Sequence, residues 1–412
     1  MIIKQTGIHM KARFQKKGKM IPLVYLIVLL LFSTIASSET NIIVWHAYRG
    51  LEKTAFEKVL ASYQEKVKQK GIVFTSYEIP YEELSAKISS DIPQKKGPDI
   101  FIFAQDRIGG WVQKGNIVEP LDEYIDGKIQ NRFIKTTLKA LTFRKAIYGL
   151  PINYKNIALI YNKALVKKPP STSDELIAIS QSLTNPEKKI HGFAYPFNNF
   201  YYHISILNAF GGKLFSENRK PLFTESTTAK SFHLLLKWYK NKNLLSVEPS
   251  GKIIKELFNK GRLAMLIDGP WFIGEISPEI NYGVDSLPKL SDIDNKPLKP
   301  WVTVEGAYIS AVSSHKKEAF DFINYLTGID AAKILSFEGR QLSSVKALYR
   351  LPDIKKYPVL LGFRKQLFVS VPMPNFPEMT LLWAPATKAL NDVIEGKLTP
   401  EAALDLAQKS IK

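Results

Sequence analysis

Residues 97–110 read Gly97-Pro98-Asp99-Ile100-Phe101-Ile102-Phe103-Ala104-Gln105-Asp106-Arg107-Ile108-Gly109-Gly110. Asp99 to Phe103 is a short apolar, β-branched and aromatic run, opened by Gly-Pro. Such a run is a strand buried on both faces, the kind found in a parallel sheet. A loop with a carboxylate and a guanidinium, Asp106 and Arg107, follows, and a helix then starts at Ile108. Both charges therefore lie at the carboxyl end of a strand, the edge of an open α/β sheet where ligands bind. Taken alone, an Asp-Arg pair is also what caps a helix. Its weight here comes from recurrence.

The same order appears twice more. Asn41–Trp45 is an apolar run, His46-Ala47-Tyr48-Arg49-Gly50 a polar and aromatic loop, and Leu51–Lys70 a long amphipathic helix. Its inward stripe reads Leu51, Ala55, Phe56, Val59, Leu60, Tyr63 and Val67, and Gly71 stops it. Ile72–Ile79 and Tyr81–Ser90 give a further strand and helix, so the first part of the chain is β-α-β-α-β. Further on, Leu263–Ile267 is a strand, Asp268-Gly269-Pro270-Trp271 a turn, and Phe272–Ile276 a helix. Leu150-Pro151-Ile152 and Pro300–Ser310 are extended and read as crossings between domains. Lys317–Leu326 is a helix with Ala319, Phe320, Phe322, Ile323 and Leu326 inward. Glu378–Asp392 is a helix with Trp383 in its first half.

The chain has 412 residues, enough for two domains with sizeable cores. It has no cysteine, which excludes disulfides, thiolate metal sites and a lipidated cysteine. Its histidines have no metal-ligand spacing, and no metal or other cofactor is expected. The net charge is +19. Part of the excess is Lys4, Lys11, Arg13, Lys16, Lys17 and Lys19, ahead of the apolar run Ile21–Phe32 and the small residues Ser33–Ser38. Residues 1–38 thus read as a cleavable signal peptide, with an uncleaved anchor as the alternative. The remaining basic residues are spread along the chain. They read as a solvated surface, without the clustered arm of a nucleic-acid binder.

The loops gather Trp45, Tyr48, Arg49, Phe103, Asp106, Arg107, Phe197, Tyr201, Trp271 and Trp383. Rings beside Asp and Arg suit a sugar, whose apolar faces stack and whose rim hydroxyls take charge-assisted hydrogen bonds. The chain has no G-x-S-x-G elbow, Gly-rich phosphate loop or zinc motif. A glycosidase needs two carboxyls across the scissile bond, and Asp106 has no evident partner. Binding without catalysis is the expectation.

Five blocks in order carry a resemblance. They are Gly97–Leu121 (GPDIFIFAQDRIGGWVQKGNIVEPL), Tyr148–Val166 (YGLPINYKNIALIYNKALV), Phe258–Trp271 (FNKGRLAMLIDGPW), Ile280–Pro288 (INYGVDSLP) and Met373–Met379 (MPNFPEM). From about Asn41 to the C-terminus the chain resembles the maltose/maltodextrin-binding group of family 1 extracellular solute-binding proteins. The resemblance implies an α/β, two-lobed type II periplasmic binding protein fold, with parallel-rich sheets flanked by helices and hinge crossings. The N-lobe would be 41–152 plus 305–340, and the C-lobe 153–304 plus 341–412. It implies a monomeric periplasmic subunit of an ABC importer, an oligosaccharide ligand in the interlobe cleft, and an inner-membrane permease as partner.

Residue by residue, Asp106 and Arg107 stand where maltodextrin binders carry their Asp-Arg pair. Tyr201, Trp271 and Trp383 stand at the stacking aromatics, and Phe103 replaces a tryptophan. Lys155 and Asn199 stand at positions that are glutamate in the best-known maltose binder, and Thr387 replaces an arginine. The loop with Tyr48 and Arg49 departs from the family's Asp- and Lys-bearing loop. These departures turn two acceptors into a donor and an amide. They leave open an α-glucoside or another oligosaccharide; the alternatives are a secreted carbohydrate-active enzyme, or the same fold binding an anionic non-sugar solute.

Overall fold

The computed structural model describes residues 39–241, 244–245 and 247–411. The proposed signal peptide lies outside the described residues. The chain opens with β1 (Thr40–His46), α1 (Gly50–Val67), β2 (Ile72–Glu78), α2 (Tyr81–Asp91), β3 (Ile100–Ala104) and α3 (Ile108–Lys114). Every residue of β3 is buried, as its unbroken apolar run requires. A long strand, β4 (Gly149–Asn156), leads through Ile157 straight into β5 (Ala158–Asn162). There follow β6 (His191–Ala194), α4 (Phe200–Ala209), β7 (Leu263–Asp268), the one-turn helix α5 (Pro270–Ile273) and β8 (Tyr282–Asp285). The last elements used below are β9 (Trp301–Ile309), α6 (Lys316–Leu326), β10 (Val371–Pro372) and α7 (Trp383–Ile394).

Two main sheets result. The first has the order β10-β9-β3-β1-β2, with β4 pairing against β9 as well, and the second β8-β5-β7-β6. The sheets are more mixed than the expected parallel-rich arrangement. β1 and β3 are parallel, whereas β9 runs antiparallel to both β3 and β4. In the second sheet β5 is antiparallel to β7 and β8, and only β6 is parallel to its neighbour. The cause is the crossing: β4 leaves the first sheet and β9 returns to it, so the two must run in opposite directions.

That pair is the joint of the molecule. Glu305 to Ile309 pair with β3. Val302 to Val304 continue past the end of β3 and pair only with β4 and β10. The ladder shifts register between Glu305 and Gly306, at the point where the ribbon leaves the sheet. A third strand of chain runs alongside, with Tyr154 N donating to Leu342 O (2.9 Å) and Ser344 N to Ile152 O (3.0 Å).

Local readings hold with exceptions. α1 buries Ala55, Phe56, Val59, Leu60, Tyr63 and Val67, but Leu51 is 52% exposed, because the first turn of α1 faces a cavity instead of the core. α6 buries the residues its spacing selects. The expected helix from Glu378 begins only at Trp383. Pro377–Leu381 is a separate 3-10 turn, since Pro377 and Pro374 constrain the approach. Likewise, the helix expected over Phe272–Ile276 is the single turn α5, which starts at Pro270.

Candidate functional site

Asp106 and Arg107 lie in a 3-10 turn, Gln105–Arg107, directly after β3. The fully buried Gln105 fastens this turn. Its Oε1 accepts from Val304 N (2.7 Å) and its Nε2 donates to Met373 O (3.4 Å). Arg107 Nε lies 3.3 Å from Asp106 Oδ2, while Asp106 Oδ1 is buried with no protein partner. Burial raises the Asp106 pKa, and the Arg107 charge acts against that rise.

The exposed ring on this side is Tyr81, not Phe103. Phe103 is 2% exposed and belongs to the core. Tyr81, 42% exposed at the start of α2, stacks over it with centroids 4.7 Å apart and planes 14° apart. Burial raises the Tyr81 hydroxyl pKa, and Asp106 and Glu305 raise it further. Tyr81 is a further candidate that the sequence reading missed, although it follows the carboxyl end of β2 as Asp106 follows that of β3.

Lys155 lies on β4. Its Nζ donates to Glu305 Oε1 at 2.9 Å. Asn153 Nδ2 donates to Glu305 Oε2 (2.7 Å) and to Gln341 Oε1 (3.1 Å). Burial alone would lower the Lys155 pKa, but the carboxylates of Glu305 and Glu52 more than offset this and hold it above the usual lysine value. Beside this group the buried Tyr48 hydroxyl lies against the side-chain amides of Gln341 and Asn153. The Tyr48 ring itself packs in the core against His46 and Phe56. Glu305, Glu52 and Gln341 were also missed. Glu305 had a signal, as the one charge in the apolar run Trp301–Ile309.

On the second sheet's side, Asn199 caps α4 by accepting from Tyr201 N (2.9 Å). The Tyr201 ring lies 6.2 Å from Trp271, and its hydroxyl is near Thr303 and Lys155. Trp271 is 39% exposed. Its ring folds back over Gly269, where a Cβ would meet it at 2.2 Å. Trp383 packs edge-on to the buried Trp301 at 5.7 Å. Trp45 and Phe197 are core residues, not cleft rings.

Two cavities of about 590 Å³ each meet at Trp271 and Glu275. One is lined by Arg49, Glu52, Asn153, Lys155, Arg340 and Gln341 among others, drawing on both sheets and the third crossing. The other is lined by Asn198, Asn199, Tyr202, Lys252 and Asp268. Each has the size of a small-molecule site. Of the expected residues, Arg49, Lys155 and Trp271 line the first cavity and Asn199 and Trp271 the second. Tyr201 lies against Trp271, whereas Asp106, Arg107 and Trp383 are not among the residues lining either cavity and Phe103 and Tyr48 are core residues. Among the described residues no cluster of His, Asp and Glu could hold a metal ion.

Two sheets joined by a shared ribbon, with a ring-lined cleft at the joint, define a two-lobed solute-binding protein. The chain belongs to the bacterial extracellular solute-binding protein family, whose sequence pattern matches residues 50–333. It is 28% identical over 362 residues to a maltotriose-binding protein of Pyrococcus abyssi, covering 86% of this chain and 78% of the relative. It is 27% identical over 394 residues to a galactooligosaccharide-binding protein of Bacillus subtilis, covering 92% and 90%. Its fold matches a crystal structure of a cyclo/maltodextrin-binding protein complexed with maltotetraose, with TM-score 0.82 and 32% identity over 90% of this chain and 96% of that one.

Proposed function

We propose that the protein captures a neutral oligosaccharide, of the malto type or close to it, and delivers it to the permease of an ABC importer. The observation that carries this reading is the exposed Trp271 ring, with Tyr201 beside it, facing a floor of amides and an internally neutralised Lys155–Glu305 pair. A sugar needs a stacking surface and hydrogen bonds of both polarities without net charge. The ligand specificities of the relatives support an oligosaccharide and differ among themselves in the sugar. The paired state of Lys155 speaks against an anionic solute.

The lobes are taken as 41–152 plus 305–340 and 153–304 plus 341–412. The adjacent crossings at Ile152/Asn153, Val304/Glu305 and 341–344 support these boundaries. Contacts to both lobes exist together only when the cleft is closed, so the ligand shifts the open-closed balance by its difference in affinity. The role is binding and transport, not turnover. Residues 1–38 serve export, and the rest of the chain works outside the cytoplasm as a monomer. The contact residues are Asp106, Arg107, Tyr201, Trp271, Trp383, Arg49 and Asn199, with Tyr81 added and with Phe103, Tyr48 and Lys155 in support.

The test is calorimetric titration of residues 39–412 with maltotriose, maltotetraose and a galactooligosaccharide. Saturable binding of one of them, weakened in Asp106→Ala and Trp271→Ala, is expected. Binding of none, or slow hydrolysis of the sugar in the cell, would overturn the reading.

A further inference from the structure

Glu305 occupies an unusual place. It is the last rung of β9 that pairs with β3, opposite Ala104, and the ribbon's register shifts immediately after it. On its other side it pairs with Asn153 of β4. Its side chain is 13% exposed, and both its oxygens are engaged, one by Lys155 Nζ at 2.9 Å and one by Asn153 Nδ2 at 2.7 Å. Lys155 and Asn153 both line the cleft, together with Arg49 and Arg340. Without Glu305 the Lys155 ammonium would keep Glu52 as the one carboxylate acting on it, in a cavity also lined by two guanidinium groups and Glu275.

From this geometry we infer that Glu305 is the specificity-determining residue that makes the cleft select neutral over anionic saccharides. It does so by holding the Lys155 ammonium in an ion pair, so that Lys155 is not available as an anion contact. The inference rests on the proposed saccharide-binding role of the cleft. The pair is largely shielded from water, where one unpaired charge changes the affinity for an opposite charge far more than at a bare surface. Glu305 acts on the ligand through Lys155, so it is a positioning residue whose removal changes selectivity more than overall binding.

The experiment measures the affinity of a neutral oligosaccharide and of the same oligosaccharide ending in a uronic acid. It uses residues 39–412 as wild type, Glu305→Gln, Lys155→Met and the double variant, with circular dichroism and thermal melting to establish folding. The wild type is expected to prefer the neutral sugar. Glu305→Gln retains an acceptor for Asn153 and removes the charge. It is expected to shift the preference toward the carboxylated sugar by about tenfold or more. Adding Lys155→Met should abolish that shift.

A folded Glu305→Gln protein that weakens both ligands equally would overturn the inference and assign Glu305 a purely structural role. A shift that persists in the double variant would overturn the role of Lys155 and the inference with it. A wild type that prefers the carboxylated sugar overturns the inference while leaving saccharide binding intact. Wild-type binding of neither sugar overturns the underlying reading, and the inference falls with it.

Discussion

Trp271 and Phe103 both stand at strand ends, and the fold uses them in opposite ways. Trp271 presents its ring to two cavities, whereas Phe103 is buried beneath Tyr81. Trp271→Ala is therefore expected to change stability by only about 1 kcal/mol, while ligand affinity falls about tenfold or more through loss of stacking. Phe103→Ala should instead cost about 3–5 kcal/mol of stability as a core cavity. Urea denaturation alongside calorimetric titration separates the two effects, and equal behaviour of the two variants would contradict the assignment. His46 offers a pH prediction. It is buried, its Nδ1 accepts from Tyr48 N at 3.2 Å, and burial lowers its pKa from 6.5 to about 4. The unfolded chain binds this proton more readily than the folded one. The His46 contribution is thus complete above pH 6.5 and is lost as the pH falls toward 4, about 3 kcal/mol in all. Burial raises Glu52, Asp106 and Asp268, whose effects run the opposite way. The check is therefore the difference between wild type and His46→Asn, which keeps an acceptor for Tyr48 N. The wild type should lose more stability than the variant between pH 6.5 and 4, and parallel curves would refute the claim.

At the scale of elements, the short helix α3 carries two adjacent glycines with contrasting surroundings. Gly109 N donates to Asn375 O at 2.8 Å, and a Cβ at Gly109 would lie 2.6 Å from that oxygen and 2.7 Å from Phe376 Cα. Both obstacles are backbone, so they cannot move aside as a flexible side chain could. Nothing lies within 4 Å of a Cβ at Gly110. Gly109→Ala should cost about 1–3 kcal/mol by overpacking, whereas Gly110→Ala should stabilise by about 0.5–1 kcal/mol through helix propensity. Denaturation midpoints of the two variants should move in opposite directions. Because Asp106 and Arg107 lead into α3, Gly109→Ala should also weaken ligand binding, and a normal affinity in that variant would show the two effects to be separable. The Gly-Gly pair was visible in the sequence as a helix start. Which of the two touches the Met373–Pro377 segment, more than 260 residues away in the chain, depends on a contact that no local pattern encodes.

For the molecule as a whole, the expected behaviour is closure around a ligand. At a free ligand concentration about 100 times Kd the folded state gains about 2.7 kcal/mol, which raises Tm by several degrees. Small-angle scattering of residues 39–412 should show a smaller radius of gyration with the sugar than without it, and an unchanged radius at saturation would sink the closing mechanism. Much of this architecture was legible in the sequence. The strand, loop and helix units over 41–111, the hinge runs at Leu150–Ile152 and Pro300–Ser310 and the Asp106-Arg107 turn all follow from apolar spacing, Gly and Pro, which act within a few residues. The inward stripe of α6 was read correctly for the same reason. Tertiary structure alone decided which rings reach the cleft, because exposure depends on what packs above a residue: Tyr81 covers Phe103, and Gly269 leaves room for Trp271. It also decided the electrostatic character of the floor. Lys155 read from the resemblance as a donor standing in place of an acceptor, but its partner Glu305 lies 150 positions away. Only the pairing of β4 with β9 brings the two together, and a Coulomb interaction depends on distance in space, whatever the separation along the chain.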